Sequence, residues 1–441
     1  MTHDDAGKTV WLDFIIAMTV LVIVVVHATS WAFPLGWLGE LLGLDADTVK
    51  KAPHLAPADV LIWIAGALLL VRIILRRDLR VLKRLPVAGV LLTVLAVLSM
   101  RFAANKLTAV ADVIQFVDYF VVLMLLFTVI LTTRDRVQLV VMLWLAVGSI
   151  VAVWALVHYL DPDRGALDVS GPFLNRNVLG GYLAMLLPFA WGLMLHSRKP
   201  AAIAQSAVLV GVGLVVMLAG GPWLAAMLGI LVVSTVRSAK LLPAALAALL
   251  ILWLFILPAL PRDNARTLVA SVYAYDKTQT IDERRYSKRY IRWQACVRFL
   301  APSYIVQDGD VYHSSLTMTR SKHVRYLLLG YGIGNYEAGL DEFFADLPKP
   351  NVNMTEPDTQ NLYLVLAFSV GLPAALAFLW LVGAHMRRAA VGYRKTSDPL
   401  LRGVLLGCLG ALVGCLVANV FTETLVRGSG PAMILVLALA A

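Results

Sequence analysis

Charge is scarce in this chain. Only 15% of its 441 residues are Asp, Glu, Lys or Arg, while 60% are hydrophobic; soluble domains carry about 25% charge. That shortage excludes a soluble enzyme of two or three domains. Cysteine is scarce too. Of three, Cys408 and Cys415 share one apolar block and Cys296 stands alone in a hydrophilic segment, which excludes a disulfide framework or a zinc spacing. Short alternating apolar segments are lacking, which excludes a membrane β-barrel. There is no basic soluble domain, and so no ground for nucleic-acid binding. No cleavable leader is evident: the apolar run from Val10 is long and no small-residue cleavage site ends it, so it reads as a first span. No internal repeat is evident, which counts against an inverted-repeat transporter.

What is present is apolar sequence in helix-length blocks. Stretches of about 20 residues, enough to cross the hydrocarbon, fall at 10–32, 59–76, 85–103, 109–132, 137–159, 173–195, 201–219, 222–237, 241–260, 361–383, 400–422 and 427–441. The expectation is an all-α polytopic membrane protein of about twelve transmembrane helices. It divides into an N-terminal bundle of about nine spans (1–260), a loop domain (261–360) and about three C-terminal spans (361–441). The last block opens on Arg427, Gly428, Gly430 and Pro431 and reaches Ala441 without a polar flank, the pattern of a truncated span.

The net charge is +10, and most of the excess follows the rule that cytoplasmic connections are rich in Lys and Arg. Alternate connections carry Arg76, Arg77, Arg80, Lys83 and Arg84, then Arg134 and Arg136, Arg198 and Lys199, Arg237 and Lys240, and Arg387, Arg388, Arg394 and Lys395. Both termini are then expected in the cytoplasm, with 261–360 outside as one large, mostly helical loop.

Part of the charge sits on the wrong side for that rule. Arg284, Arg285, Lys288, Arg289, Arg292 and Arg298 occur together with no acid among them. Positions 285, 288, 289 and 292 follow i, i+3, i+4, i+7 spacing and share one helical face, while Tyr286, Tyr290, Trp293 and Val297 share another. A helix of this kind suits the membrane surface. It reads either as a solvated, headgroup-binding helix or as a phosphate site, because guanidinium groups grip phosphate oxygens in pairs and keep their charge at any pH.

With these residues in place, the chain resembles the bacterial O-antigen ligase and polymerase superfamily from about Gly171 to Pro373. Gly171-Pro-Phe-Leu-Asn-Arg-Asn177, followed by Tyr182 and Leu187-Pro188, is similar to the family's motif at the mouth of a span. Ser287-Lys-Arg289 with Trp293 is similar to its Arg–Trp signature, and Leu329-Gly-Tyr-Gly-Ile-Gly-Asn335-Tyr336 to its glycine-rich segment. Gln360-Asn361-Leu-Tyr-Leu, with Gly371-Leu-Pro following, is similar to its His-Asn start of the next span. Two departures stand out. Gln360 occupies the place of the family's His and cannot serve as a general base, and Ala219-Gly-Gly-Pro-Trp223 lacks the Ser-Arg that relatives carry before the Trp.

The resemblance implies an inverting, metal-independent and cofactor-free glycosyl transfer on the periplasmic face of the bacterial inner membrane. The donor is an undecaprenyl-diphosphate-linked glycan and the acceptor lipid A–core, so the activity belongs to lipopolysaccharide biosynthesis. The expected chain is a monomer among membrane lipids. Arg289 with Arg285, Lys288 and Arg292 would neutralise the leaving diphosphate, completed by Arg176 and Asn177. Gln360, Asn361 and Arg289 hold the catalytic positions, and Trp293 and Tyr336 the glycan or lipid contacts. One large loop late in the chain favours ligase over polymerase. A protein O-oligosaccharyltransferase of the same superfamily, and a flippase of the same lipid-linked sugar, stay open as alternatives.

Other signals are weaker. Gly330-x-Gly332-x-Gly334 lacks the setting of a nucleotide loop and reads as a tight turn or as a close backbone approach to phosphate. Asp118 inside the fourth block is either functional or a structural hydrogen-bond partner. The pairs Asp45/Asp47, Asp161/Asp163 and Asp308/Asp310 read as turns before they read as Mg²⁺ or Mn²⁺ ligands. Arg298 and Gly309 fit the Arg-x10-Gly pattern of polymerase loops, a match that chance also produces. His313, His323, Glu356 and Asp358 are the nearby candidates for a base in place of Gln360.

Overall fold

The computed structural model describes residues 3–28, 33–34, 54–55, 57–161, 169–173, 176–217, 222–251, 293, 295–297, 299–300, 320–336, 361–425 and 429–441. Helix α1 is His3–Val26, α2 Pro57–Arg76, α3 Val87–Ser99, α4 Lys106–Ile130 and α5 Arg134–Leu160. Then come α6 Arg176–Met194, α7 Pro200–Met217, α8 Trp223–Arg237 and α9 Leu241–Ile251. The later helices are α10 Arg320–Leu329, α11 Leu362–Ser369, α12 Leu372–Lys395, α13 Pro399–Phe421 and α14 Ser429–Ala440.

Seven of the described helices (α2, α4, α5, α6, α7, α12 and α13) are long and apolar enough to cross a membrane. Shorter apolar helices are Trp11–Val26, Val87–Phe102, α8 and α14. The chain is an all-α, multi-pass membrane protein. Among the described residues the strand pairing is a two-residue contact of Phe33–Pro34 with His54–Leu55.

Local sequence sets where the helices start. Asn105 accepts hydrogen bonds from the backbone N–H groups of Leu107 and Thr108, Thr133 from that of Arg136, and Asp398 from those of Leu400 and Leu401. Each supplies an acceptor that the first turn lacks.

The centre of the bundle is α6, which packs on α7, α8 and α13. Every residue from Asn177 to Ala190 is buried, as expected of a helix that presents no face to solvent or lipid. Small residues permit this. A Cβ on Gly192 would lie 2.5 Å from the Gly407 nitrogen, and one on Gly407 would lie 2.7 Å from the Phe189 carbonyl oxygen. Gly414 faces the Ala184 carbonyl, and a Cβ on Gly229 would lie 2.6 Å from the Gly410 carbonyl. Gly403, Gly407, Gly410 and Gly414 thus let α13 approach its neighbours backbone to backbone, the usual device of membrane helices.

Contacts sort the connections into two ends. At one end, Arg84 donates to the Thr128 carbonyl at 3.1 Å, Arg134 pairs with Asp398 at 2.7 Å, and Arg402 covers Tyr393 beside His196. At the other, Asn335 holds Asn105, and Gly332 donates to the Ser369 carbonyl. Arg84, Arg134 and Arg402 thus lie at one end of the described helices, and the clasp of Asn335 on Asn105 at the other.

One expected span is divided. The block 361–383 is not a single helix: α11 stops at Ser369 and α12 starts at Leu372 and runs on to Lys395. Gly371 takes φ +108, and a Cβ there would strike the Leu328 carbonyl. Pro373 then sits in the first turn of α12, where its missing N–H costs nothing.

Candidate functional site

The other end carries Arg176, Asn177, Trp293, Tyr336 and Asn361, the described ones among the candidate site residues. Its framework is the glycine-rich segment 330–336, which follows α10. Gly330, Gly332 and Gly334 all have positive φ, and their missing side chains admit the backbones of Ser369, Ala103 and Thr108 respectively. Tyr331 N–H donates to the Phe368 carbonyl at 2.7 Å and Gly332 N–H to the Ser369 carbonyl at 3.0 Å. Ile333 N–H reaches the Ser99 hydroxyl at 3.4 Å, and Asn335 N–H the Gly332 carbonyl at 3.2 Å. These amides are therefore spent on protein acceptors, and the expected alternative of a backbone cradle for phosphate is not what they form. The segment is a clasp joining the α3–α4 turn to the α11–α12 turn.

Asn335 closes the clasp. It is buried, its Oδ1 accepts from Asn105 N–H at 2.5 Å, and its Nδ2 donates to the carbonyls of Asn105 at 3.1 Å and Ile333 at 2.9 Å. Tyr336 follows, with its hydroxyl 3.1 Å from the Cys296 sulfur and its ring 5.2 Å from Phe368. Around that pair lie Phe299, Tyr326 and Tyr331, with Phe299 and Phe368 centroids 4.4 Å apart. Arg325 lies over both Phe102 and Tyr326, at 4.9 and 4.8 Å.

The described residues of the basic segment, Trp293, Ala295, Cys296, Val297, Phe299 and Leu300, dock here. Ala295, Cys296 and Phe299 have no exposure, whereas Val297, assigned to the apolar stripe with Trp293, is 41% exposed; Trp293 is half-buried. Cys296 is therefore part of an aromatic core instead of standing alone in water. The i, i+3, i+4 repeat was legible, but which of two faces finds a partner depends on Tyr336 and Phe368, far along the chain. His323 points a ring nitrogen at the Leu300 carbonyl, 3.2 Å away, and so helps to seat this piece on α10.

Asn361 is buried and caps α11, accepting from Leu364 N–H at 3.1 Å. Arg176, half-buried, and Asn177, buried, form the first turn of α6. The two groups share a support. Tyr363 of α11 donates to the Leu416 carbonyl of α13 at 2.6 Å, and the same end of α13 abuts the start of α6. Trp293, Tyr336 and Asn361 thus belong to elements that meet in one aromatic cluster, and α13 packs on both α11 and α6, the helix that carries Arg176 and Asn177. Arg285, Lys288, Arg289, Arg292 and Gln360 lie outside the described residues, as do Asp45, Asp47, Asp163, His313, Asp308, Asp310, Glu356 and Asp358.

No family model matches this chain, and no curated protein matches it.

Beneath Asn177 is a polar layer that hydropathy conceals. A Cβ on Gly181 would lie 3.3 and 3.4 Å from the methyls of Thr424 and Thr422. Asn419 Oδ1 accepts from the Thr424 amide at 3.0 Å and its hydroxyl at 2.9 Å, and Ser429 donates to the Thr424 carbonyl at 3.1 Å. Gln115, on the third turn of α4, donates to the Leu425 carbonyl at 3.1 Å and to the Tyr119 hydroxyl at 3.2 Å. The described residues after α13, 422–425, are thus non-helical backbone held inside the bundle, the arrangement hydrocarbon demands. Asp118 is buried where α4 opens into a π-helical turn, Asp118–Leu123. The signal for this layer was Asn, Thr and Gln within apolar blocks.

Proposed function

We propose that the chain is an inverting glycosyltransferase of the O-antigen ligase kind, independent of metal. It moves O-antigen polysaccharide from undecaprenyl diphosphate to lipid A–core on the periplasmic face of the inner membrane. In this reading both termini are cytoplasmic and 261–360 is periplasmic. The observation that carries it is the burial of Ala295, Cys296 and Phe299, which seats the end of the cation-rich segment against the bundle. By sequence spacing alone, Arg285, Lys288, Arg289 and Arg292 fall in one helical group with those three residues, and Tyr286, Tyr290 and Trp293 in another with Val297, a pattern suited to holding a lipid diphosphate.

An acceptor sugar hydroxyl attacks the anomeric carbon as its bond to the diphosphate oxygen breaks, and Arg289 and its neighbours offset the charge that develops on the leaving group. Arg176 and Asn177 complete the diphosphate site, and Trp293 and Tyr336 contact the glycan or its lipid. Gln360 cannot take the hydroxyl proton, which leaves with the released diphosphate or passes to solvent.

Purified protein reconstituted with lipid-linked glycan and lipid A–core should give a ladder on a gel, and Arg289→Ala should abolish it. Transfer gained only in Gln360→His would mark an inactivated ligase. No product from either chain would refute the ligase reading. Gln360 favours a flippase of the same lipid, which would instead move labelled donor across vesicles without acceptor.

A further inference from the structure

At the basic end, the last residues of α6, α8 and α12 meet the first turn of α13 around one ring, Tyr393. The His196 ring stands edge-on to it with centroids 5.6 Å apart, and the Arg402 guanidinium covers it at 5.0 Å. Gly403 makes room: a Cβ there would lie 3.3 Å from the His196 Cβ. Arg237, from the end of α8, adds a second guanidinium to the field at His196.

Two buried nitrogens in this junction, His196 Nε2 and Arg402 Nε, have no hydrogen-bond partner among the described residues. The described carboxylates of this end are engaged elsewhere. Asp13 binds Arg72 and Arg76, Asp78 caps the turn at Arg80, and Asp398 binds Arg134, with Asp135 near the same arginine. Topology asks for cations at this end. It does not ask for a guanidinium stacked on a ring with its Nε unsatisfied beside an imidazole in the same condition, which is an unusual expense for a buried polar group.

The chemistry of the two nitrogens differs. His196 Nδ1 lies 3.3 Å from the Gly192 carbonyl, so it carries the proton and donates. Burial holds this imidazole below its ordinary value, with Arg237 and Arg402 pushing the same way. Nε2 of the neutral ring is then an acceptor and wants an O–H. Arg402 Nε is a donor and, with the neighbouring Nη, presents the edge that grips a phosphate through two parallel hydrogen bonds.

We propose that this junction binds a phosphate ester carrying a nearby hydroxyl, with the phosphate on Arg402 and Arg237 and the hydroxyl donating to His196 Nε2. That is the chemistry of a phosphoglycerol headgroup, supplied by an anionic phospholipid of the adjoining leaflet or by free glycerol phosphate. The inference needs only the membrane setting and is independent of the transferase reading.

The test is native mass spectrometry and thermal unfolding of the full chain in detergent with phosphatidylglycerol, phosphatidic acid, phosphatidylcholine or soluble glycerol phosphate. Phosphatidylglycerol should bind at least tenfold more tightly than phosphatidylcholine. Arg402→Lys, which keeps the charge but loses the paired donors, should erase most of that preference without loss of folding. His196→Phe should make phosphatidylglycerol equal to phosphatidic acid. Saturation by glycerol phosphate alone would support the site and assign the soluble source. Equal binding of phosphatidylglycerol and phosphatidylcholine, or an unaltered preference in Arg402→Lys, would overturn the proposal. Phosphatidic acid equal to phosphatidylglycerol in the unaltered protein would overturn the role of His196.

Discussion

The clasp at Asn335 makes a quantitative demand. Replacing Asn335 by Ala removes three hydrogen bonds, to Asn105 N–H, the Asn105 carbonyl and the Ile333 carbonyl. Asn105 is exposed, so water takes over its two groups and each bond costs about 0.5–1.5 kcal/mol. Ile333 is buried, and its abandoned carbonyl costs about 1–3 kcal/mol. The sum is about 2–6 kcal/mol. If the loss falls on local opening of the clasp, amide exchange at Tyr331 and Gly332 should quicken by roughly 30- to 25,000-fold. Hydrogen–deuterium exchange followed by mass spectrometry on peptides covering 326–336 and 361–371 measures this. Asn335→Asp keeps the acceptor for Asn105 N–H but turns oxygen against two carbonyls, and should be nearly as damaging. Unchanged exchange in Asn335→Ala, or wild-type behaviour of Asn335→Asp, would show that the segment is held by something else.

Three further perturbations test other parts of the framework. Gly192→Ala should destabilise by about 1–3 kcal/mol through overpacking, because its Cβ would meet Gly407 backbone at 2.5 and 2.6 Å. Gly211→Ala and Gly383→Ala, with nothing within 4 Å, serve as controls, and equal melting temperatures for all three would dismiss the close-packed α6–α13 interface. Tyr363→Phe should cost about 1 kcal/mol and loosen α11 from α13, visible as faster exchange in 361–369; no change there would separate the two helices energetically. Asp398→Asn should lower stability at pH 7 by about 1 kcal/mol. The backbone N–H of Leu401, with Arg134 and Leu400, holds the Asp398 carboxyl below its ordinary 3.8. Its stabilisation is therefore full above about pH 5 and lost as pH falls through the depressed value. Melting curves from pH 7 to pH 2 should show wild type and variant converging on the acid side; a gap that stayed constant would remove the charge from the explanation.

Length and hydropathy alone locate most of the bundle, because covering an isolated helix in hydrocarbon leaves a long apolar mark. What they miss depends on partners. The interruption at Gly371 lies in an unbroken apolar block, and only the Leu328 carbonyl opposite it demands a glycine there. The i, i+3, i+4 pattern at 285–297 gives two faces of a helix and leaves undecided which is covered until Phe368 and Tyr336 arrive. Gly330, Gly332 and Gly334 announce a tight backbone, yet a glycine loop around phosphate and one around a neighbouring turn read alike. Asn419 and Thr424 look like stray polar residues until they bond to each other. In the candidate site, residue types and order were legible, whereas Asn335, which closes the clasp, was passed over because its partner lies more than two hundred residues away.

The buried course of α6 has a consequence for synthesis. A helix whose whole circumference is covered by other helices has no finished surroundings when it leaves the ribosome. Its partner α13 is made more than two hundred residues later, which at ordinary elongation rates is a wait of roughly 10–45 s. Throughout that interval Gly181 and Gly192, whose neighbours lie on α13 and just after it, face lipid or the insertion machinery. The segment is also one of the least apolar of the long spans, with a hydropathy of 1.4 against 2.5 for α5. The centre of the mature protein is thus its most vulnerable nascent segment, and its retention in the membrane depends on the helices that enter around it.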